Sequence, residues 1–190
     1  MPAALQPVDI RLAATALQIG ASLHILNNGS QNFSTYAAQA KGTYVSPAKL
    51  HAVSGTPRAF AVADVNHDGA QDVVAAVDGW LWVGRGLPDG NIETVEVTAV
   101  EKGQLSAVAV GDFNGDTHPD IAFAYKALNR VSLALGDGTG KFLVFPAQFY
   151  VNKEPVQIEA VDANGDGIDD LFVRCLTGRS VSALLSKKLP

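Results

Sequence analysis

The amino-acid sequence predicts an all-β fold made of β-propeller blades with four antiparallel strands each. Two observations predict it: an acidic loop that recurs at intervals of 48 and 50 residues, and apolar β-branched runs between turns rich in Gly, Asp, Asn and Pro. Helical periodicity is almost absent. The length allows about 3.5 to 4 blades, and we expect a partial, a dimeric or a four-bladed propeller.

The recurring loop has the pattern Asp-x-Asn-x-Asp, with a further Asp at its ninth position. Its three copies span residues 64–72, 112–120 and 162–170. A period of this length is typical of propeller blades and exceeds that of short helical or leucine-rich solenoids. Each copy therefore marks one blade.

Each acidic loop is followed by an apolar strand, then by a turn and a second strand. The strands that follow the loops are 73–77, 121–125 and 171–175. In the middle repeat, the second strand, 131–135, ends in a Gly-rich hairpin signal at 136–140, and an outer strand follows over 141–145. Residues 59–63, before the first loop, are apolar on both pleat faces, so we expect stacked blades that bury both faces.

We expect a single domain over residues 1–190, with repeats at about 8–57, 58–105, 106–155 and 156–190. The first repeat is degenerate. Residues 23–33 match the strand and hairpin of 131–142, but no acidic loop precedes them. Because such repeats bury a continuous core only by stacking on their neighbours, the four segments are interpreted as one unit.

Composition and charge exclude several classes of protein. Hydrophobic residues make up 47% and charged residues 17%, as in compact globular proteins. The net charge of −5, with no Lys/Arg cluster among aromatics, argues against nucleic acid. No apolar run approaches the roughly 18 residues of a membrane span, so no membrane insertion is expected, and the first residues lack a signal-peptide pattern. The single cysteine, Cys175, excludes an internal disulfide.

The acidic loops have the oxygen ligands that a hard cation prefers. They hold nine of the 19 acidic residues at their first, fifth and ninth positions. Alternate side chains along a tight turn converge on one point, and by analogy with the EF-hand the seventh residue adds a backbone carbonyl. We therefore predict about three Ca²⁺ sites. The predicted ligands are Asp64, Asn66, Asp68, Ala70 and Asp72; Asp112, Asn114, Asp116, His118 and Asp120; and Asp162, Asn164, Asp166, Ile168 and Asp170.

The EF-hand itself is excluded, because its twelfth position carries a Glu and here that position holds Ala75, Phe123 and Val173. The ninth Asp must close the site instead. A solvated acidic turn is the alternative interpretation of any single loop. At the sixth position two loops have Gly, but the middle one has Thr117, which suits a left-handed turn poorly, so distortion is expected there.

The middle repeat carries a resemblance to a known family. Residues 109–121 (Ala-Val-Gly-Asp-Phe-Asn-Gly-Asp-Thr-His-Pro-Asp-Ile) and 135–142 (Leu-Gly-Asp-Gly-Thr-Gly-Lys-Phe) resemble the FG-GAP/VCBS repeat of integrin α-chain propellers, secreted bacterial repeat proteins and some fungal propeller lectins. The resemblance is close over about 58–186 and poor over 8–50. It implies a propeller with calcium between the first two strands of each blade, at an extracellular or cell-surface location. It does not imply a ligand class.

We expect a non-catalytic module that binds a protein or carbohydrate ligand. No catalytic residue is assigned, because no nucleophile has an evident base and neither His-Glu-x-x-His nor Gly-x-Ser-x-Gly occurs. Two alternatives stay open: the propeller part of a calcium-dependent polysaccharide-degrading enzyme, and a structural spacer in a surface protein. Trp80 and Trp82 share one side of a strand and could stack on a sugar ring or pack between blades.

Three arrangements are open for ring closure. The first repeat lacks its acidic loop, and the last ends before a full outer strand. Exposed blade faces and unpaired strand edges promote association. We expect either a segment of a longer propeller or a homodimer that completes a ring of roughly seven or eight blades. A compact four-bladed monomer is the alternative.

Overall fold

The structure is a computed structural model that describes residues 6–14, 21–28, 31–36, 43, 49–53, 55–77, 79–87 and 91–188. These residues form β-strands joined by turns, and no helix occurs among them. The described residues accordingly contain no helical segment with the length and apolarity needed to cross a membrane. The all-β prediction is confirmed.

The strands form four antiparallel sheets, and each sheet takes consecutive strands of the chain. The first sheet contains β1 (Gln6–Ala14), β2 (Ala21–Asn28), β3 (Asn32–Tyr36) and β4 (Lys49–Ala52). The second contains β5 (Pro57–Ala63), β6 (Asp72–Val77), β7 (Trp80–Gly86) and β8 (Ile92–Ala99). The third contains β9 (Leu105–Gly111), β10 (Asp120–Tyr125), β11 (Arg130–Gly136) and β12 (Phe142–Tyr150). The fourth contains β13 (Pro155–Val161), β14 (Asp170–Cys175) and β15 (Ser180–Leu184).

In each of the last three sheets, a residue in the left-handed conformation ends the connection between the second and third strands. The residue before the third strand has a positive φ, which is 86° at Gly79, 53° at Asn129 and 48° at Arg179. This left-handed residue lets a short connection match the twist of the two strands. These connections join the second strand to the third, whereas the acidic loops join the first strand to the second. The connections therefore lie at the opposite end of the sheets from the acidic loops.

The sheets pack side by side through their first strands. β5 lies against β1 and β9, and β9 lies against β13, so the first strands follow one another in chain order. The outer strands β8 and β12 barely touch. Sheets that converge at their first strands and diverge at their last ones are arranged as propeller blades are.

Apolar side chains fill the three spaces between neighbouring sheets. In β6, both faces of the strand pack against a neighbouring sheet. Val73 and Ala75 pack against the first sheet, whereas Val74 and Ala76 pack against the third, because successive side chains point to opposite faces. All six residues of β6 are buried. The predicted burial of both strand faces is confirmed at β6.

The fourth sheet has an unpaired edge within the described residues. β15 pairs with β14 on one side, and no described strand pairs with its other side. An apolar groove of about 530 Å³ lies there between the third and fourth sheets, and its lining includes Phe113, Leu133 and Phe149.

The two tryptophans of β7 lie in different environments. Trp82 is 3% exposed, and its ring meets Phe33 edge-on with centroids 5.8 Å apart. Trp80 is 45% exposed. Packing between sheets therefore accounts for Trp82, and Trp80 is accessible to a ligand. Cys175 is buried.

His24 in β2 is a buried titratable group far from the acidic loops. It is 4% exposed, and its Nδ1 lies 3.2 Å from Thr35 Oγ1. Burial, with a smaller effect of His51, lowers the pKa of His24 from 6.5 to about 4. Because the pKa is lower in the folded state, the stabilising contribution is complete above pH 6.5 and is lost as the pH falls towards 4.

We predict that His24 alone lowers the free energy of unfolding by about 3 kcal/mol between about pH 7 and pH 4. His24→Asn should remove this part of the pH dependence, because an amide can keep the contact with Thr35 and does not titrate in this range. Urea unfolding of both proteins across the range measures the difference, in which all other titrating groups cancel. Equal pH profiles would contradict the assignment.

Candidate cation-binding loops

The three acidic loops connect the first strand of a sheet to its second. They lie between β5 and β6, between β9 and β10, and between β13 and β14. Since the first strands of these sheets are neighbours, the loops lie side by side at one end of the molecule.

Within each loop, the first, third and fifth side chains fold inward and accept hydrogen bonds from the loop's own amides. In the first loop, Asp64 Oδ2 accepts from Gly69 N at 2.9 Å, Asn66 Oδ1 accepts from Asp68 N at 2.9 Å, and Asp68 Oδ1 accepts from Ala70 N at 2.8 Å. The same three bonds recur in the other loops at 2.8–3.0 Å. The sequence pattern therefore folds into one local structure three times.

The ninth residue of each loop is a buried aspartate with a role that the sequence did not indicate. Asp72 is fully buried, and its two oxygens accept from Val65 N at 3.0 Å and from Gly86 N at 2.8 Å. Asp120 likewise accepts from Phe113 N at 3.0 Å and Gly136 N at 2.9 Å. The corresponding donors to Asp170 are Ala163 N at 3.2 Å and Ser186 N at 2.8 Å. Each carboxylate thus ties the loop to the end of the third strand.

In the second and third sheets, glycine is required where the third strand meets this carboxylate. A Cβ on Gly86 would lie 2.1 Å from the carbonyl oxygen of Gln71, and one on Gly136 would lie 2.1 Å from that of Pro119. No side chain fits in such a space. The close approach of the two backbones is what brings the amide within reach of the buried Asp.

The buried carboxylates are poor places for a negative charge. Burial raises the pKa of Asp72 from 3.8 to about 6, and the hydrogen bonds from Gly86 and Val65 oppose this rise. The charges of Asp68 and Asp64 raise the pKa further. Asp120 has a pKa of about 6 for the same reasons. In the first and second loops, negative charge is therefore concentrated beyond what hydrogen bonds alone offset.

The residues of each loop fit a hard cation in their chemistry. All side-chain donors in the predicted sites are carboxylate or amide oxygens, the atoms that a hard cation prefers. Asp64 Oδ2 accepts one amide N–H, whereas Asp112 Oδ1 and Asp162 Oδ1 each accept two. Among the described residues, no three His, Cys, Asp or Glu side chains are grouped as they would be around a metal ion. The calcium ligand set stays a prediction.

Thr117 adopts the left-handed conformation that its position requires. Its φ is 71°, close to the 84° of Gly69 and Gly167. The expected distortion is absent from the hydrogen bonds, because Thr117 N donates to Asp112 Oδ2 at 2.8 Å as the glycines do in their loops. The structural difference is therefore a strained backbone in an otherwise matching loop.

Comparison with protein families gives a repeat match. The family model described as FG-GAP-like repeat matches residues 64–123 and again residues 112–173, and each match begins at the first aspartate of an acidic loop. The two matches together extend over more than half of the chain. No curated protein matches the sequence.

Several solved structures share the fold at low sequence identity. A functionally unknown protein from Desulfotomaculum acetoxidans has a TM-score of 0.68 at 14% identity, over 100% of this chain and 59% of its own. An Agrocybe aegerita lectin, solved for its specific recognition of non-reducing terminal N-acetylglucosamine, has a TM-score of 0.59 at 17% identity, over 97% of this chain and 51% of its own. A protein from Lactobacillus plantarum has a TM-score of 0.60 at 12% identity, over 94% and 55%. The chain thus spans little more than half of these structures.

We predict that Thr117→Gly raises the free energy of unfolding by about 1 kcal/mol, because it removes the strain of a β-branched residue at positive φ. It should also tighten calcium binding in the second loop. Thr117→Ala is the matched control, since it removes the hydroxyl and one methyl but leaves a Cβ at the strained position. Thermal melts without metal measure the stability. The assignment is wrong if Gly and Ala change the midpoint equally.

Proposed function

The chain belongs to the FG-GAP-like repeat family, and from this membership we propose that it is a calcium-stabilised β-propeller module that binds a protein or a carbohydrate. The observation that carries the proposal is the threefold recurrence of one acidic loop, with the same inward hydrogen bonds each time. Turns alone favour Asp and Asn, because these side chains bond the amide two residues on. Four oxygen-bearing side chains at the same positions in three loops are also the ligand set that a hard cation would use.

Calcium is the cation that the donors favour. Carboxylate and amide oxygens suit a hard ion with many ligands, whereas magnesium keeps its waters and zinc prefers nitrogen and sulfur. In the first loop Asp64, Asn66, Asp68 and Asp72 would hold the ion with the Ala70 carbonyl, and equivalent residues would do so in the other loops. Bound calcium would supply positive charge beside carboxylates that burial and mutual repulsion disfavour.

The chain's own residues connect the loop to the blade. The side chain of Asp72 joins the turn between β5 and β6 to Gly86 at the end of β7, so three strands are held at one point. A loop fixed in this way keeps the adjoining strands in a constant geometry. Such preorganisation lowers the entropy cost of binding a ligand. We place the module outside the cell. Extracellular calcium modules have Kd values of about 10⁻⁴–10⁻³ M, and calcium there would fill exposed loops of that affinity.

Trp80 is the residue that we propose for ligand contact. It is 45% exposed and borders a cavity of about 310 Å³ with Gly79, Lys102 and Gly103 among its lining. An exposed indole can stack on the apolar face of a sugar ring, and the lysine can donate hydrogen bonds to hydroxyl groups. Similarity to a lectin of N-acetylglucosamine supports the carbohydrate branch of the proposal.

The enzyme alternative receives less support from the described residues. A polysaccharide-degrading site would need accessible Arg, Lys, Tyr or His side chains in a cleft. Arg130 lies over the Tyr125 ring at 4.6 Å and pairs with Glu101, but the Arg130 side chain is only 8% exposed and Tyr125 is 1% exposed. This pair therefore belongs to the core. The spacer function and the homodimer that completes a ring stay predictions.

We predict that calcium raises the thermal midpoint. One site filled at about ten times its Kd adds about 1.4 kcal/mol, which corresponds to about 3–6 °C in a domain of this size. Melts in millimolar calcium and in excess chelator measure the shift, and magnesium at the same concentration should give a smaller one. Identical midpoints in calcium and chelator would refute the metal-binding proposal.

We predict that the chain binds a glycan class in calcium and that Trp80→Ala weakens this binding about tenfold, because the stacked indole is lost. A glycan array followed by calorimetry measures both. Tyr150→Ala is the control, since Tyr150 is also exposed, at 75%, but lies on β12. Equal affinity of Trp80→Ala and wild type would contradict the assignment of Trp80. Absence of binding to every glycan would contradict the carbohydrate branch.

A further inference from the structure

Asp169 links the third acidic loop to the second. It is the eighth residue of its loop, and it holds both polar backbone atoms of Asp112, the first residue of the neighbouring loop. Asp169 N donates to Asp112 O at 2.8 Å, and Asp112 N donates to Asp169 Oδ2 at 3.0 Å. The backbone of a predicted ligand residue in one loop is therefore held by a residue of another.

The surrounding residues are shaped for this contact. A Cβ on Gly111 would lie 2.6 Å from Asp169 Oδ2, so a larger residue there would displace the carboxylate. Ala63 occupies the equivalent position before the first loop and Val161 that before the third, so glycine is not a general requirement of the repeat. Ile168 is 5% exposed and packs on Gly115, where a Cβ would lie 3.2 Å from its Cδ1.

The first and second loops lack this link. The eighth residue of the second loop is Pro119, which has neither a backbone N–H nor a carboxylate. Within the described part of the chain, no hydrogen bond joins the first loop to the second, and their contact is between the rings of His67 and His118, with centroids 6.1 Å apart. The two interfaces between loops therefore differ in kind.

We propose that Asp169 is a positioning residue that couples the second and third cation sites, so that calcium in either loop raises the affinity of the other. The proposal rests on the proposed calcium function. Asp112 organises the second loop through its side chain, which accepts from Gly115 N at 2.7 Å and Thr117 N at 2.8 Å. Ordering of the third loop fixes the position of Asp169. Asp169 in turn holds the Asp112 backbone, and that backbone carries the side chain that accepts these two bonds.

The coupling is reciprocal by thermodynamic necessity. If calcium in the third loop raises the calcium affinity of the second loop by some factor, calcium in the second loop raises the affinity of the third loop by the same factor. Two hydrogen bonds place the expected factor at about five- to tenfold, the lower part of the usual range for coupled sites. The first loop, which lacks the bridge, should bind independently of both.

The test is a cycle of calcium titrations on the full chain, with the amide signals of Gly115 and Gly165 as separate reporters of the second and third loops. Asp166→Ala silences the third loop. In the wild type it should weaken calcium binding in the second loop about five- to tenfold. In an Asp169→Ala background, which keeps the backbone bond from residue 169 N to Asp112 O and loses the side-chain bond, the effect should fall to about two- to threefold. Asp68→Ala, which silences the first loop, is the matched control and should leave the second loop unchanged.

Two further variants separate the bridge from the charge of Asp169. Asp169→Asn removes the charge but keeps an oxygen that accepts from Asp112 N, so both affinities should fall while the coupling stays. Gly111→Ala displaces the carboxylate, presses on the Phe113 ring and changes no charge, so the coupling should fall to the same extent as in Asp169→Ala. It also keeps the test valid if Asp169→Ala fails to fold, because alanine already occupies the same position before the first loop, at Ala63.

Each outcome is decisive. Three sites that fill independently in the wild type overturn the coupling and leave the calcium function intact. Coupling of undiminished size in both Asp169→Ala and Gly111→Ala overturns the role of the Asp169 side chain. Absence of calcium binding at every loop overturns the proposed function, and the coupling with it.

Discussion

Each blade with an acidic loop depends on one buried carboxylate. Asp72, Asp120 and Asp170 are completely buried, and each accepts two backbone N–H groups, one from the loop and one from the residue that ends or follows the third strand. Without the carboxylate, two buried amides would lose their partners at about 1–3 kcal/mol each. The turn between the first two strands would then no longer be joined to the third.

This arrangement concentrates negative charge at one end of the sheets. The pKa of about 6 for Asp72 and Asp120 shows that burial outweighs the amide hydrogen bonds. A cation beside the same carboxylates would stabilise their ionised form without altering the fold around them. The loop therefore has a defined backbone structure but an excess of negative charge. A bound cation adds most stability to a loop in that condition.

The sequence predicted the features that depend on local pattern. The continuous apolar run of β6 and the spacing of the acidic loops lead directly to stacked sheets. The features that depend on register between distant strands were not predictable. Asp72 reaches Gly86 because β6 and β7 pair in one register, and Trp80 differs from Trp82 because only the latter is covered by a neighbouring sheet.

Loops with the same ligands are not equivalent, because their neighbours differ. The second residue of the loop is buried as Val65 and Phe113 in the first two copies, but it is the exposed Ala163 in the third. The third loop lacks this apolar anchor and is held instead by Ile168 and the bridge of Asp169. In a repeat protein each unit contacts only the units beside it. Differences between equivalent sites therefore arise at the interfaces as well as within the loops. At the interface of the second and third loops, the difference lies at the residue that precedes the buried aspartate, Asp169 in place of Pro119.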